Sequence, residues 1–195
     1  MEIIATAIAF CALVTLSVLL ALTIFTDILT LWPVPGKGSW QSYTFWPLFR
    51  TGLSLTILLG IWEFAMADSH GFEAAAGVPL ALLALGFTVY GYFDLGIENT
   101  YGADDSLVTT GLYRYSRNPQ YVASIIGFTG LAIAVATPEI IMLSALAILV
   151  YTLMPFAEEP WLEKAYGEAY RAYEAQTPRF LSISRLLEKP VASQR

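Results

Sequence analysis

Three stretches of the sequence, 3–31, 45–66 and 74–97, are long and apolar enough to cross the hydrocarbon core of a bilayer, which takes about 20 residues of helix. Two shorter ones, 121–136 and 140–156, are separated only by Thr137-Pro138-Glu139, a tight break that predicts a helical hairpin. The expected class is an all-α integral membrane protein with five transmembrane helices. Composition agrees, because 56% of the 195 residues are hydrophobic and only 13% are charged, where a soluble domain carries about a quarter charged residues.

The first stretch opens with Met1-Glu2 and no basic residue, and it is far longer than the core of a signal peptide, so it is expected to be retained. Basic residues set the orientation. With the N-terminus outside and the C-terminus in the cytoplasm, Lys37, Arg50, Arg114, Arg117, Lys164, Arg171, Arg179, Arg185, Lys189 and Arg195 all fall on the cytoplasmic side. The opposite loops, 67–73 and 137–139, then hold only acids and His70. In a bacterium this would place the chain in the inner (plasma) membrane.

Several functions are excluded at this level. A net charge of −6 leaves no basic stripe for nucleic acid. Cys11 is the only cysteine, so no disulfide forms within the chain, and it reads as a small apolar filler. One histidine cannot build the histidine-rich iron sites of membrane oxidising enzymes, and no metal site is expected.

Trp32, Trp40, Tyr43 and Trp46 bracket a turn-rich loop containing Pro33, Pro35, Gly36 and Gly38, and read as interface anchors. Gly86, Gly91 and Gly96 in the third segment suit close helix packing. Residues 98–118 are too polar for lipid and predict a cytoplasmic loop. The chain then re-enters at Pro119, with Asn118 near the N-cap of the fourth helix, where its side-chain oxygen can accept a backbone N–H. Pro155 is expected to break the fifth helix and Pro160 to start a cytoplasmic amphipathic one. Trp161, Leu162, Ala165, Tyr166, Ala169, Tyr170 and Tyr173 form its apolar face, with Glu163, Lys164, Glu168, Arg171 and Glu174 opposite. No repeat or second domain is visible. A single membrane domain is expected, with a two-helix anchor at 1–73, a core at 74–180 and a tail at 181–195.

Two polar clusters, 109–121 and 158–180, lie on the same side and are joined by the hairpin, so they should be neighbours in space. Each residue has a bland reading beside a functional one. Glu158 and Glu159 suit either a helix dipole or a cationic ligand such as an α-amino group. Arg117 is either a snorkelling interface arginine or a fork for a carboxylate or phosphate headgroup. Tyr113, Tyr115 and Tyr121 are ordinary belt residues or pocket walls.

Taken together, "LVTTGLYRYSRNPQYVASIIGFTGLAI" and, after the hairpin, "EEPWLEKAYGEAYRAYEAQTPRF" resemble the integral membrane methyltransferases that include isoprenylcysteine carboxyl methyltransferase and phosphatidylethanolamine N-methyltransferase. The resemblance covers about residues 94–180 and lies in the order of elements: Arg-x-Pro-x-Tyr, a hairpin, Glu-Glu-x-x-Leu, Gly-x-x-Tyr-x-x-Tyr, then Arg-Phe. It implies an S-adenosylmethionine site at the cytoplasmic face. By that likeness Leu107, Val108, Tyr113, Asn118 and Tyr121 line the cofactor pocket, and Glu159, supported by Glu158, holds the cofactor's amino group. Arg117 and Arg179 correspond to positions near the substrate headgroup. Asn118 stands where the isoprenylcysteine enzymes have histidine, while Arg117 is absent from the phospholipid enzymes, so a prenylated carboxylate and a phospholipid amine both remain open as acceptors.

Two rivals stand beside this reading. A reductase of the sterol reductase type would bind NADPH at the same face, but Glu158-Glu159 is a poor reception for its phosphates. A non-catalytic membrane adaptor would use the amphipathic helix to dock a partner.

Overall fold

A computed structural model describes residues 1–26, 28–95 and 107–181. Among these, all regular structure is helical. The α-helices are α1 (Glu2–Phe25), α2 (Trp40–Met66), α3 (Phe72–Leu95), α4 (Pro119–Val135), α5 (Pro138–Tyr166) and α6 (Glu168–Gln176), with a short 3₁₀ turn at Gly111–Arg114. The loop expected at 98–118 is described only from residue 107. Gly91 is described only as part of the α3 backbone, while Gly96, the end of the third segment and the tail beyond residue 181 lie outside the described residues.

Four helices, α1, α2, α3 and α5, are long and apolar enough to cross a membrane, which makes this an integral membrane protein. Helix α4 is apolar but has 17 residues, about 25 Å of helix against a hydrocarbon core of about 30 Å. The expected hairpin is present, with Ala136 at φ 56° ending α4 and Pro138 opening α5. Thr137 between them donates to the carboxylate of Glu63 on α2.

Helix α1 packs against α2 and α5, α4 against α5, and α3 mainly against α4. Among the described glycines, those at the α3–α4 contact stand closest to a neighbouring backbone. A Cβ placed on Gly77 would sit 2.3 Å from the backbone nitrogen of Ala134 and 2.5 Å from the carbonyl of Gly130, and one on Gly130 would meet the Ala81 nitrogen at 2.6 Å. Small residues are the usual means of bringing membrane helices together, since apolar side chains gain little over lipid tails. Gly86, the described member of the expected packing glycines, faces open space instead. The close-packing surface lies one helical face away, on Gly77 and Ala81.

Two expectations at the helix ends are corrected. Helix α5 does not break at Pro155, nor does a new helix start at Pro160; it runs on to Tyr166 through both prolines. The break comes at Gly167, whose φ of 53° and ψ of −126° favour glycine. The amphipathic segment is thus divided, and only Glu168–Gln176 forms a separate helix, burying Tyr170 and Tyr173 and exposing Glu168, Arg171 and Glu174.

Trp32 is not an interface anchor. It is 8% exposed and stacks on the fully buried Phe45 with ring centroids 4.4 Å apart, while Trp40 and Tyr43 are exposed as expected. After α1 the chain folds back, with Thr23 on the last turn accepting the Leu31 N–H at 3.0 Å, and Leu31 and Trp32 join the buried core cluster that also holds Met154 and Ala157 of α5.

Gly77→Val is expected to destabilise the protein in detergent by about 3 kcal/mol, because the added carbons meet backbone. Gly86→Ala should be neutral or stabilising by up to about 1 kcal/mol. Thermal unfolding of the two variants checks this contrast.

Candidate active site

The segment entering α4 and the segment leaving α5 converge on one carboxylate. Glu159, on the penultimate turns of α5, is 14% exposed and receives Arg179 as a two-pronged fork, Nε to Oε1 at 2.7 Å and Nη2 to Oε2 at 2.5 Å. Arg117, just before α4, reaches the same carboxylate, with Nη1 2.9 Å from Oε1. That nitrogen also lies 2.9 Å from the Tyr170 hydroxyl and 2.9 Å from Glu174 Oε1, both on α6. The Arg117 side chain is 8% exposed, and its Nε–H is buried without a partner. The Arg179 guanidinium also lies 4.0 Å above the Phe156 ring, so the two cations are held by charge, hydrogen bonding and an aromatic face together.

Backbone contacts complete the latch. The Arg117 N–H donates to the Pro178 carbonyl at 2.9 Å. The Arg179 carbonyl accepts from Ser116 Oγ at 3.3 Å and from Asn118 Nδ2 at 3.1 Å. The short segment after α6 is therefore strapped across the start of α4. Asn118 occupies the N-cap position, but its side chain makes no cap bond, correcting the expected role. Its amide is committed to the strap, while its backbone N–H is taken by Ser116 Oγ at 3.0 Å.

Deeper along the same helices, the Tyr121 hydroxyl donates to Glu158 Oε2 at 2.9 Å. Both side chains are half-buried. Tyr121 lies 6.0 Å from the Tyr151 ring, which in turn meets Phe49 of α2 at 5.7 Å and Phe128 of α4 at 6.1 Å. Among the described residues no group of three or more histidine, cysteine or acidic side chains could hold a metal ion.

Of the residues singled out in the sequence, Arg117, Asn118, Arg179 and Glu159 are thus in one bonded cluster, with Tyr121 and Glu158 beside it. Tyr113 is joined to it through its carbonyl, which accepts the Tyr173 hydroxyl at 2.6 Å. Leu107 and Val108 are half-buried upstream of the 3₁₀ turn, and the bonds that draw the cluster together begin at Tyr113. Ser116 and Glu174 were not foreseen. Ser116 lay inside the quoted motif without a distinguishing signal, and Glu174 read as part of a solvated helix face.

Burial shifts the tyrosines of α6. Tyr170 is pushed up to about 12 by desolvation, reinforced by the Glu159 charge and opposed by Arg117. Burial also raises Tyr173. The hydrogen bonds that Arg179 donates to Glu159 hold its guanidinium more firmly protonated.

The fold and this cluster define a helical membrane protein whose polar centre is assembled at the ends of a helical hairpin. The chain belongs to the phospholipid methyltransferase family, whose profile matches residues 72–169. A phosphatidylethanolamine N-methyltransferase of Phaeosphaeria nodorum (strain SN15) is 33% identical over 104 residues, 49% of this chain and 11% of that protein, so the chain corresponds to a small part of that relative. No solved structure matches the chain at a significant level. The matched region contains Arg117, Asn118, Tyr121, Glu158 and Glu159, while Trp32, Tyr170, Glu174 and Arg179 lie outside it.

Arg117→Met is expected to cost about 3 kcal/mol of stability, since it strips one cation from the covered Glu159. Glu174→Gln should cost less than about 1 kcal/mol, because Glu174 is 42% exposed. Chemical denaturation of both variants in detergent tests this ordering. Tyr170 is held neutral in the folded state, with its pKa above the unfolded value of 10.0. Its contribution is therefore complete below pH 10 and declines as pH rises through about 12. Tyr170→Phe should flatten that alkaline decline in a titration of unfolding temperature against pH.

Proposed function

We propose that the protein is an S-adenosylmethionine-dependent methyltransferase acting on a membrane lipid, with a phospholipid amine favoured over a prenylated carboxylate as acceptor by the family to which it belongs. The observation that carries this reading is the convergence of 116–121 with 158–179 through Glu159, within a chain of that family. In this reading five helices cross the membrane, α4 included. The core is 74–180, and the cluster lies on the cytoplasmic side, where a soluble cofactor has access.

The donor set suits the cofactor's amino-acid end. Glu158 is a carboxylate whose hydrogen bond comes from a neutral hydroxyl, that of Tyr121, which suits an ammonium. Arg117 carries a buried Nε–H without a partner, which suits a carboxylate. Glu159 is already paired with two guanidinium groups, so the pair divides its work: Glu158 meets the amino group, and Glu159 adds charge and holds the arginines. Asn118, Tyr121 and Tyr113 wall the pocket, with Leu107 and Val108 on the approach. Arg117 and Arg179 face the phosphate or carboxylate of the acceptor headgroup.

When bound, the cofactor supplies an electrophilic methyl group on a sulfonium. The chain's part is orientation and exclusion of water, which together can remove roughly 7–11 kcal/mol of a two-reactant barrier. An amine acceptor reacts only when neutral.

S-adenosylmethionine or its demethylated product, and not NADPH, is expected to raise the unfolding temperature. Radiolabel from the methyl group should appear in a lipid when the protein is incubated with a total lipid extract. Stabilisation by NADPH alone would favour the reductase, and stabilisation by neither would favour an adaptor. Glu158→Gln should weaken cofactor binding by roughly 10–100-fold, the worth of a charge-assisted hydrogen bond, with the unfolding temperature of the free protein preserved.

A further inference from the structure

Helices α1 and α2 lie outside the residues that match the family, and both are long and apolar enough to cross a membrane. Where they pack together the contact is tight, because a Cβ on Gly52 would meet the Leu13 side chain at 2.8 Å. Beside that seam lies an open groove of about 590 Å³. Ile4, Ile8, Cys11 and Thr15, which recur at helical spacing, line it from α1, and Pro47 and Leu48 line it from α2. None of its lining residues is charged.

The length of the groove decides what fits it. On α1 the lining runs from Ile3 to Thr15, about 18 Å of helix, against roughly 15 Å for half of a hydrocarbon core about 30 Å thick. The groove is one leaflet deep. It starts at the end of α1, where the Trp62 indole N–H donates to Glu2 Oε1 at 2.5 Å, and an aromatic and polar pair of this kind suits the headgroup level. A helix from a second copy would be matched through both leaflets, whereas the hydrocarbon chain of a lipid is as long as one. The lining is apolar and uncharged, and at this depth its surroundings are lipid.

We propose that the groove is a lipid site separate from the candidate active site: it holds one acyl chain of a membrane phospholipid, whose headgroup lies at the level of Glu2 and Trp62. Two helices touch this chain from two sides, so it gains more close contacts than a chain against the face of a single helix. The site shares no lining residue with the Glu158–Glu159 cluster, so its lipid is a resident one and not the methyl acceptor. The proposal does not depend on methyl transfer, and it gives the two helices outside the family region a ligand of their own.

The probe is a phosphatidylcholine with a diazirine on one acyl chain. It is added to the full-length protein in detergent, the excess is removed, and the adducts formed on irradiation are mapped by mass spectrometry. Helix α3 supplies the internal control, because it packs mainly against α4 and leaves Leu82, Leu83 and Phe87 exposed. Adducts on 3–15 and 47–51 are expected at about ten times the level on 82–87. The double variant Ala7→Leu, Cys11→Leu fills the groove at two exposed positions and leaves the packed faces of α1 unchanged. It should bring labelling of the groove down to the level on α3 without altering α3. Equal labelling of the two regions in the wild type overturns the proposal, because the lipid at the groove is then ordinary bilayer contact. Labelling that persists in the filled variant also overturns it. Cys11 is the only cysteine in the chain, so a dimer linked through it under mild oxidation would put a second copy on this face and overturn the proposal as well. If the double variant does not fold, Cys11→Leu alone carries the comparison.

Discussion

The arrangement of this protein's polar end depends on one carboxylate shared by two arginines. Glu159 is covered, and a charge taken from water costs several kcal/mol unless its partners are well placed. Arg179 supplies a planar fork and Arg117 a second cation, so the carboxylate is matched by both. The consequence reaches beyond the three side chains. Arg117 sits at the entrance of α4, Glu159 near the end of α5 and Arg179 beyond α6, so their pairing joins three parts of the chain. Removing one member leaves the others covered and underpaired, which is why the cluster should behave as a unit.

That unit sets the position of the Tyr121–Glu158 pair beside it. With Arg179 fixed, its backbone carbonyl holds the Asn118 amide, and with Pro178 fixed, its carbonyl holds the Arg117 N–H. The start of α4 is therefore set in relation to α5 at the level where Tyr121 meets Glu158. At the other side, the seam of Gly77, Ala81, Gly130 and Ala134 lets α3 lie directly on α4. Sequence composition thus explains two different kinds of contact: small residues where helices must touch, and paired charges where they must be held at a distance.

Much of this was legible in the sequence because membrane helices are declared by their own composition. The apolar runs gave the helices, Thr137-Pro138-Glu139 gave the hairpin, and the polar clusters at 109–121 and 158–180 gave the two halves of the site. The finer errors have physical causes. Pro155 reads as a break and Pro160 as the start of a new helix, yet a proline removes one hydrogen bond and does not by itself forbid continuation within a packed membrane helix; the helix ends at Gly167. Trp32 has the same composition signal as Trp40 and Tyr43, and only the fold-back after Thr23 decides that it is buried. Which of two adjacent glutamates pairs with arginine cannot be read from a Glu-Glu dipeptide, because it depends on a helical rotation of about 100° between neighbours.

The central claim is that Glu159 is the meeting point of the two arginines, and its most direct test is the coupling energy between Glu159 and Arg179. Stability of the wild type, Glu159→Gln, Arg179→Met and the double variant, measured by denaturation in one detergent, gives that energy without assuming any ligand. A favourable coupling of about 2 kcal/mol or more is expected for a covered, two-pronged pair. Additive effects, with coupling within about 0.5 kcal/mol of zero, would contradict the latch and the convergence of the two segments that depends on it.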